Sequence, residues 1–378
     1  MLAMFWDDSH HALQRSAQAW VDQHIRPHAT EWEEAATFPR ELYAQAGAAG
    51  LLGVGYPEAL GGVEGDVFHQ LIVVEALLRG GSVGLAMSLG SHAIALPPIL
   101  ALGDADQQRR FVTPVLRGEA IAALGVTEPG AGSDVSGLRT RARRVGDRYI
   151  LDGQKTFITS GCRADFVTVL ARTSDDKHGG LSIFVVEKGA PGFRVGQPLK
   201  KMGWWASDTA ELFFEGCEVP VENRIGDEGI GFLGVMINFT SERLLLAASG
   251  VAVSRLALEE TERHIAGREA FGRTLDGFQV VRHRIAEMAT EEAAARAFVA
   301  TVAERHRRGE DVTVEAAMAK NMAAATAARV TDAAVQLHGG MGYMRECLVE
   351  RLFRDQRLFS IGGGPTEIMR ELIWRRRG

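Results

Sequence analysis

Several residue types and motifs that mark common protein classes are scarce or missing in this sequence. The three cysteines cannot all pair and none belongs to a Cys-x-x-Cys motif, so reduced thiols in a cytosolic-type compartment are the simplest interpretation. No Gly-Lys dipeptide occurs, which excludes a P-loop. Because His-Glu-x-x-His and clustered His/Cys sets are also missing from the sequence, it supports no metal site.

Charge and hydropathy exclude two further classes of partner. The formal net charge of −6 at pH 7 argues against nucleic acid and against an anionic membrane surface. The most apolar stretch, residues 83–102, is interrupted by His92 and by Pro97 and Pro98, so it predicts no membrane-spanning helix. Residues 1–8 lack the basic region and apolar run of a signal peptide, and their acidic residues do not suit a transit peptide. We therefore expect a soluble, cytoplasmic protein without nucleic-acid or membrane partners.

The patterns that are present divide the 378 residues into three segments. Residues 1–122 read as helical, with Gly and Pro pairs separating the helices. Residues 123–229 carry short β-rich runs, such as 166–170 and 181–186, and predict an antiparallel β domain. In residues 230–378 the helical period returns, and long helices joined by short loops predict a bundle. Apolar residues recur there every seven positions at Leu244, Val251, Leu258 and Ile265.

Two glycine motifs imitate functional signatures. Residues 80–84, Gly-Gly-Ser-Val-Gly, match the Gly-x-Ser-x-Gly pattern of serine hydrolases, which requires a preceding strand. Residues 71–79 read as helix, so an interhelical loop is the favoured interpretation. Residues 130–132, Gly-Ala-Gly, lack the third glycine and the βαβ context of a dinucleotide-binding fingerprint.

The most informative stretch is residues 125–134, Gly-Val-Thr-Glu-Pro-Gly-Ala-Gly-Ser-Asp. Its glycines let the backbone approach a flat ligand, and Thr127 and Ser133 offer hydroxyl groups. Four further motifs follow in order at residues 153–159, 201–209, 268–272 and 336–343. In this order and at these separations the set resembles the acyl-CoA dehydrogenase family of FAD flavoproteins, from about residue 10 to about residue 374.

The resemblance implies a fold and a cofactor. The fold is α+β, with an N-terminal α-helical domain, a middle antiparallel β-barrel-like domain and a C-terminal four-helix bundle. The cofactor is FAD, part of which reaches a neighbouring subunit of a homo-oligomer, usually a tetramer. The implied FAD-binding residues are Val126, Thr127, Gly132, Ser133, Phe157, Thr159, Arg268, Phe271, Gln279, Gln336, Gly339, Gly340, Thr366 and Glu367.

Two of these residues have ordinary structural alternatives. Phe157 would stack on the flavin ring where many relatives carry Trp, but by itself it is better explained as a strand aromatic that faces the core. Arg268 would meet the pyrophosphate, and the alternative is a solvated cation at the end of a helix.

The reaction implied by the resemblance removes two hydrogens from adjacent carbons of an acyl thioester. A carboxylate takes the α-proton, and flavin N5 accepts the β-hydrogen as hydride. In many relatives the base is a Glu of a Tyr-Glu-Gly-Thr motif, but that position is Gly363 here. A second subgroup, which includes isovaleryl-CoA and long-chain dehydrogenases, carries the base directly before an Arg. Glu242, followed by Arg243, matches that position.

Glu242 also has a structural alternative, because Ser241 could cap a helix whose first turn favours an acidic residue. If Glu242 is the base, Gly363 keeps a catalytic role, since its backbone N–H hydrogen-bonds the thioester carbonyl. Ser133, Arg243 and Gly362 are then the substrate-binding residues. Gly362 and Gly363 replace bulkier residues, so we expect a roomy pocket for medium, long or branched acyl chains.

The partners implied are an acyl-CoA substrate and an electron-transferring flavoprotein, with O₂ as the alternative electron acceptor. A carrier-protein-bound acyl group is the alternative substrate. A catalytically silent flavoprotein of the same fold is the alternative from outside the enzyme class. The pathway expected from the resemblance is β-oxidation in fatty acid metabolism.

Overall fold

The computed structural model describes residues 5–177 and 179–377. Residues 1–4, which contribute to the interpretation of the N-terminus, lie outside this range. The chain begins with short helices, continues through one large sheet and ends in long helices. This order agrees with the α, β, α arrangement predicted from the sequence, whereas the limits of the three domains stay a prediction.

The first segment consists of helices whose starts are marked by capping side chains. Asp7, Asp66 and Asp104 each accept backbone N–H donors of the helix that follows, as N-cap residues do. Ser82 caps α5, which begins inside the hydrolase-like motif at Val83, so the motif connects two helices and follows a helix rather than a strand, as predicted. The helices are α1 (Asp8–His24), α2 (Ala29–Glu34), α3 (Glu41–Ala48), α4 (Val67–Leu78), α5 (Val83–Leu89), α6 (His92–Ala95), α7 (Pro97–Leu102), α8 (Ala105–Phe111) and α9 (Thr113–Leu116).

The middle segment forms one sheet with the strand order β6-β7-β3-β2-β4-β5-β8, and β1 pairs with β4. The strands are β1 (Ala122–Gly125), β2 (Arg141–Val145), β3 (Arg148–Thr159), β4 (Phe166–Arg172), β5 (Leu181–Glu187), β6 (Phe193–Val195), β7 (Thr209–Pro220) and β8 (Arg224–Ile225). Both β-rich runs singled out in the sequence, 166–170 and 181–186, lie within β4 and β5.

The prediction of a barrel-like middle domain is wrong, because the sheet does not close. Its outermost strands are the short β6 and β8, which are not paired with each other. Inside the sheet, β2 meets β4 through a single residue pair, Arg141 and Arg172. The sheet is also not purely antiparallel, since β1 and β2 both run parallel to β4.

The last segment is helical, with a small hairpin between its first two helices. Its elements are α10 (Gly231–Gly267), β9 (Glu269–Ala270), β10 (Arg273–Thr274), α11 (Gln279–Arg307), α12 (Thr313–His338), α13 (Leu348–Asp355) and α14 (Thr366–Arg377). The three long helices, α10, α11 and α12, pack on one another, and the shorter α14 packs on α12. The predicted seven-residue stripe of α10 is buried along its whole length, as expected for the apolar face of a bundle helix.

The core joins the helical segments to each other and to the sheet. One apolar cluster contains residues of the N-terminal helices together with residues of α10 and α12. A second cluster packs α7, α8 and α9 against the sheet face that carries Leu170 and Ile183. Among the described residues, no single helix has the length and apolar character of a membrane span, and only the pair Val83–Leu89 and His92–Leu102, bent by 45°, meets those criteria when taken together.

Candidate active site

The loop after β1 carries Val126, Thr127, Gly132 and Ser133 and is held against β3 by a buried ion pair. Lys155, which is 0% exposed, donates from Nζ to the Val126 carbonyl at 3.1 Å and to Glu128 Oε1 at 2.8 Å. Glu128 also accepts backbone N–H donors at Arg139 and Thr140. Burial lowers the pKa of Lys155 to about 8, although the Glu128 carboxylate opposes that shift. The loop is therefore fixed from beneath, and Gly132 and Ser133 are exposed at its surface.

The end of β3 lies directly beside this loop. The Thr156 N–H donates to the Thr127 carbonyl at 2.9 Å, and a β-bulge follows Lys155. Phe157 lies in that bulge with a φ of 60° and is 69% exposed, so the alternative that it faces the core is wrong. Thr159 is half-buried next to it. The structure thus brings the first six predicted FAD-binding residues together in one surface region.

Glu242 and Gly363 meet from two different elements. Glu242 lies well inside α10, which begins at Gly231, so the alternative in which Ser241 caps a helix start is wrong. Glu242 Oε1 lies 3.4 Å from the position that a Cβ on Gly363 would take. Burial raises the pKa of Glu242, and the cations of Arg243 and Lys320 oppose this. A half-buried carboxylate with raised proton affinity is suited to general-base catalysis.

The turn around Gly363 packs closely against α10. The Gly363 backbone has a φ of +62°, and a Cβ there would lie 2.4 Å from Leu246 Cδ1. The Leu246 side chain therefore packs against Gly363, and the expected room for the acyl chain stays a prediction. Gly362 is less crowded, since an added Cβ would make an ordinary contact with the Leu358 carbonyl oxygen at 3.5 Å. Among the described residues, the Gly363 N–H has no hydrogen-bond acceptor, so it is available to a ligand.

Arg243 lies next to the base but is almost completely buried, with 6% of its surface exposed. Its guanidinium lies 5.1 Å from the centre of the Phe239 ring. Among the described residues, its Nε finds no hydrogen-bond partner. A buried donor without an acceptor is costly, so Arg243 is available for a polar group of a ligand.

A second group of predicted residues collects at the other end of the bundle. Arg268 follows α10, Phe271 lies in the β9–β10 hairpin, and Gln279 opens α11. Gln336, Gly339 and Gly340 lie at the end of α12, and His264 and His338 stack at 4.2 Å, which joins the ends of α10 and α12. All six predicted residues are exposed, and Phe271 is 95% exposed. An added Cβ on Gly339 or Gly340 would meet no heavy atom within 4 Å.

The exposure of Arg268 fits both interpretations made from the sequence, because a solvated helix-end cation and a pyrophosphate ligand both require it. Thr366 and Glu367 begin α14, immediately after the glycine turn. Thr366 is half-buried and its Oγ1 donates to the Ser360 carbonyl at 3.4 Å, whereas Glu367 is exposed. These two residues therefore belong with the Gly363 region rather than with the end of the bundle.

Two features of the site were missed in the sequence. The Glu128–Lys155 ion pair lies within the quoted motifs, but pairing across a loop leaves no mark in residue spacing. Lys320 on α12 is buried beside Glu242 and donates from Nζ to the Gly364 carbonyl. Its only signal is a lysine in an alanine-rich helix face, where a charge is rare.

In the part of the chain that the structure describes, one cluster of potential metal ligands lies away from this site, although the sequence indicated none. His10, Asp66 and His69 each offer a ligand atom within 4.8 Å of the others. His10 Nε2 and His69 Nδ1 lie 3.0 and 2.9 Å from the same Asp66 oxygen. These contacts belong to the capping boxes of α1 and α4, and the positive ends of two helix dipoles oppose a cation there.

Comparisons with known proteins agree along the whole chain. Three family models match it in order: the acyl-CoA dehydrogenase N-terminal domain over residues 7–119, the middle domain over 123–217 and the C-terminal domain over 229–377. The mitochondrial long-chain specific acyl-CoA dehydrogenase of Sus scrofa is 39% identical over 373 residues, which is 98% of this chain and 86% of that protein.

Solved structures are similar over the same length. A probable acyl-CoA dehydrogenase from Mycobacterium abscessus matches with a TM-score of 0.97 and 47% identity, covering 98% of this chain and 99% of that chain. A chain in a structure described as the electron transferring flavoprotein of Acidaminococcus fermentans matches with a TM-score of 0.95 and 36% identity, covering 98% of both chains.

Proposed function

Since the chain belongs to the acyl-CoA dehydrogenase family and is therefore an oxidoreductase that acts on acyl-CoA, we propose that Glu242 is the base that starts α,β-dehydrogenation, with FAD as the cofactor. The product is then the trans-2-enoyl-CoA. The observation that carries this assignment is the position of the Glu242 carboxylate beside Gly363, the residue that replaces the base of many relatives.

The chain's own groups supply two contributions to the proton transfer. Glu242 takes the α-proton, and a positioned base of this kind contributes about 10²–10⁴-fold to the rate. The Gly363 N–H, which has no acceptor among the described residues, donates to the thioester carbonyl. One such donor contributes roughly 2.7–4 kcal/mol where negative charge develops on an oxygen. Arg243, Ser133 and Gly362 contact the substrate in this proposal.

The residues present fit FAD. Phe157 and Phe271 are strongly exposed aromatic side chains, and Gly339 and Gly340 leave open space that a Cβ would fill. Burying an exposed Phe contributes about 1.5–3 kcal/mol, so both rings favour a flat ligand that covers them. The loop of Val126 and Thr127, with Thr159, would hold the ring edges, and Arg268 the pyrophosphate. When bound, FAD supplies the acceptor for the β-hydrogen.

The proposal includes the assembly of the protein into a homo-oligomer, specifically a tetramer. The surface around the end of α12 exposes an unusual amount of apolar side chain, with Tyr343 at 80% and Met341 at 59%. Exposed apolar groups of this kind mark contact sites. Light scattering on the purified protein measures the subunit number directly, and a monomer with bound FAD would contradict this part of the proposal.

We further propose that the acyl chain is long or branched. Two observations support this: the absence of a side chain at both Gly362 and Gly363, and the similarity to a relative named long-chain specific. Steady-state rates across straight and methyl-branched acyl-CoA substrates test it. A rate that rises beyond butyryl is expected, and a sharp optimum at butyryl would contradict it.

The proposed electron acceptor is an electron-transferring flavoprotein, in a β-oxidation step. Reoxidation of the reduced protein by such a flavoprotein should be much faster than reoxidation by O₂. Faster reoxidation by O₂ would identify an oxidase instead.

The central experiment is an anaerobic titration of the yellow holoenzyme with a panel of acyl-CoA thioesters. Bleaching of the flavin absorbance by at least one thioester is the expected result. Bleaching by acyl carrier protein thioesters but not by acyl-CoA would show that the substrate is a carrier-protein-bound acyl group. No bleaching by any thioester would indicate a catalytically silent flavoprotein.

A further inference from the structure

We propose that Lys320 is a positioning residue for this reaction: through the Gly364 carbonyl it holds the turn that carries Gly363, and through its charge it favours the ionised carboxylate of Glu242. The proposal rests on the proposed function, specifically on Glu242 as the base.

The position of Lys320 is unusual for a lysine. It lies on α12 with 1% of its surface exposed, and its neighbours along the helix are small buried residues: Ala316, Ala317, Ala319, Ala323 and Ala324. An ammonium group is almost never buried without a partner, because losing its hydration is costly. Among the described residues, the acceptor found for its Nζ is the Gly364 carbonyl oxygen.

The hydrogen bond to Gly364 is one of two that tie the same turn to α12. The next residue, Asn321, donates from Nδ2 to the Thr366 carbonyl at 3.3 Å. Gly363 directly precedes the first of these two carbonyls and Gly364 carries it, and their φ values are +62° and +96°. Glycine reaches such values easily but does not hold them, because it is the most flexible residue. Side chains from α12 therefore determine where the Gly363 N–H points.

The charges around Lys320 connect it with the base. The ammonium group of Lys320 interacts electrostatically with Glu242 and Arg243 on α10 and with Glu367 on α14. Burial and the Arg243 cation lower the pKa of Lys320 to about 8, and the two carboxylates oppose the shift. Lys320 is thus mainly protonated at neutral pH. In return, its charge lowers the pKa of Glu242, against the larger effect of burial.

The test compares the holoenzymes Lys320→Met, Lys320→Gln and Lys320→Arg with the wild type. The pH dependence of kcat/KM is measured with one acyl-CoA, because its acid limb reports the base of the free enzyme. Loss of a nearby positive charge should move that limb upward by about 1 pH unit in both neutral variants. The Met variant should also lose rate on the plateau, since it cannot donate to Gly364. In Lys320→Arg, which keeps the positive charge, the acid limb of kcat/KM should lie close to its wild-type position.

A second readout does not depend on activity. Because the pKa of folded Lys320 is about 8, below its ordinary value of 10.5, the unfolded chain binds more protons between these pH values. The stability of the wild type should therefore rise from pH 8 to pH 10.5 relative to Lys320→Met. A matched control is Lys201→Met, which removes a half-buried amine that donates to Ser207 and Thr209 instead. That variant should leave the acid limb of kcat/KM unchanged.

An acid limb that stays at its wild-type position in both neutral variants would overturn the proposal and leave Lys320 with a purely structural role. The same conclusion follows if Lys201→Met moves the limb as far as they do. If Lys320→Met does not fold, Lys320→Gln decides the question alone. Failure of the proposed function is recognised separately, because Glu242→Gln would then keep wild-type turnover whatever the Lys320 variants do.

Discussion

Glu242 Oε1 lies 3.4 Å from the position that a Cβ on Gly363 would occupy. The two residues come from α10 and from the turn before α14, yet they share one small volume. Leu246 closes the same volume, with Cδ1 at 2.4 Å from that position. A side chain at 363 would therefore have to displace Leu246 and would contact the Glu242 carboxylate.

The first prediction follows from this crowding. Gly363→Ala should lower the free energy of unfolding by about 1–3 kcal/mol, because the new Cβ contacts Leu246 and the residue must keep a left-handed φ. It should also reduce kcat/KM, since the Gly363 N–H is displaced. Denaturant unfolding and steady-state kinetics measure the two effects.

Gly362→Ala is the matched control for this prediction. Its nearest contact would be at 3.5 Å and its φ is not left-handed, so it should change stability by less than about 0.5 kcal/mol. In the double variant with Leu246→Ala, part of the stability lost in Gly363→Ala should return. An equal loss of unfolding free energy in Gly362→Ala and Gly363→Ala would contradict the crowding at residue 363.

The second prediction concerns the Glu128–Lys155 ion pair beneath the loop of Val126 and Thr127. Lys155→Met leaves the Glu128 carboxylate buried without its cation, which should cost about 3–5 kcal/mol of stability. The double variant with Glu128→Gln should lose less than the sum of the two single variants, because the groups interact directly. Thermal unfolding and the amount of FAD retained measure the effect. If the stability loss of the double variant equalled the sum of the two single losses, the pair would not hold the loop.

The third prediction separates binding from folding at Phe157. Because this ring is 69% exposed, Phe157→Ala should leave the thermal midpoint of the FAD-free protein nearly unchanged. Its affinity for FAD should fall about tenfold or more, since a covering ligand would bury the ring. Calorimetric titration with FAD measures the affinity. Val145→Ala, on β2 and 46% exposed, is a control that should change neither quantity, and unchanged affinity in Phe157→Ala would remove the ring from the site.

The fourth prediction is a pH dependence of stability caused by Asp355. Burial and the nearby Glu33 raise the pKa of this carboxyl from 3.8 to about 7, although the Trp204 N–H and the cations of Arg354 and Arg351 oppose the shift. The folded protein then binds a proton between pH 4 and pH 7 that the unfolded chain does not bind. Stability should therefore fall with rising pH across this window.

Asp355→Asn should flatten that dependence, because the amide cannot titrate. The comparison uses thermal midpoints at several pH values from 5 to 7.5, with the exposed Asp8→Asn as a control that should keep the wild-type slope. An identical slope in wild type and Asp355→Asn would contradict the raised pKa.

Patterns that depend on local periodicity could be predicted from the sequence. The stripe of Leu244 and Val251 is buried because a helix repeats its faces at that spacing, and the run 166–170 forms β4 because β-branched and aromatic residues suit a strand. Residue 242 could be selected as the base only through the resemblance, since an acidic residue on a helix has no distinctive pattern of its own.

Features that depend on contacts between distant segments could not be predicted. Among the described strands, the sheet stays open because its outermost strands, β6 and β8, do not pair with each other, and strand patterns contain no information on closure. Lys320 reaches a carbonyl 44 residues later in the chain, so nothing near it in the sequence indicates its partner. The same holds for Leu246, whose side chain fills the space beside Gly363.

The most direct measurement is the rate at which an acyl-CoA bleaches the FAD of the Glu242→Gln holoenzyme under anaerobic conditions. Gln keeps the shape of the side chain but cannot take the α-proton, so bleaching should slow by at least ~10²–10⁴-fold while FAD content stays at the wild-type level. Bleaching at the wild-type rate would show that another group removes the proton and would contradict the assignment of Glu242.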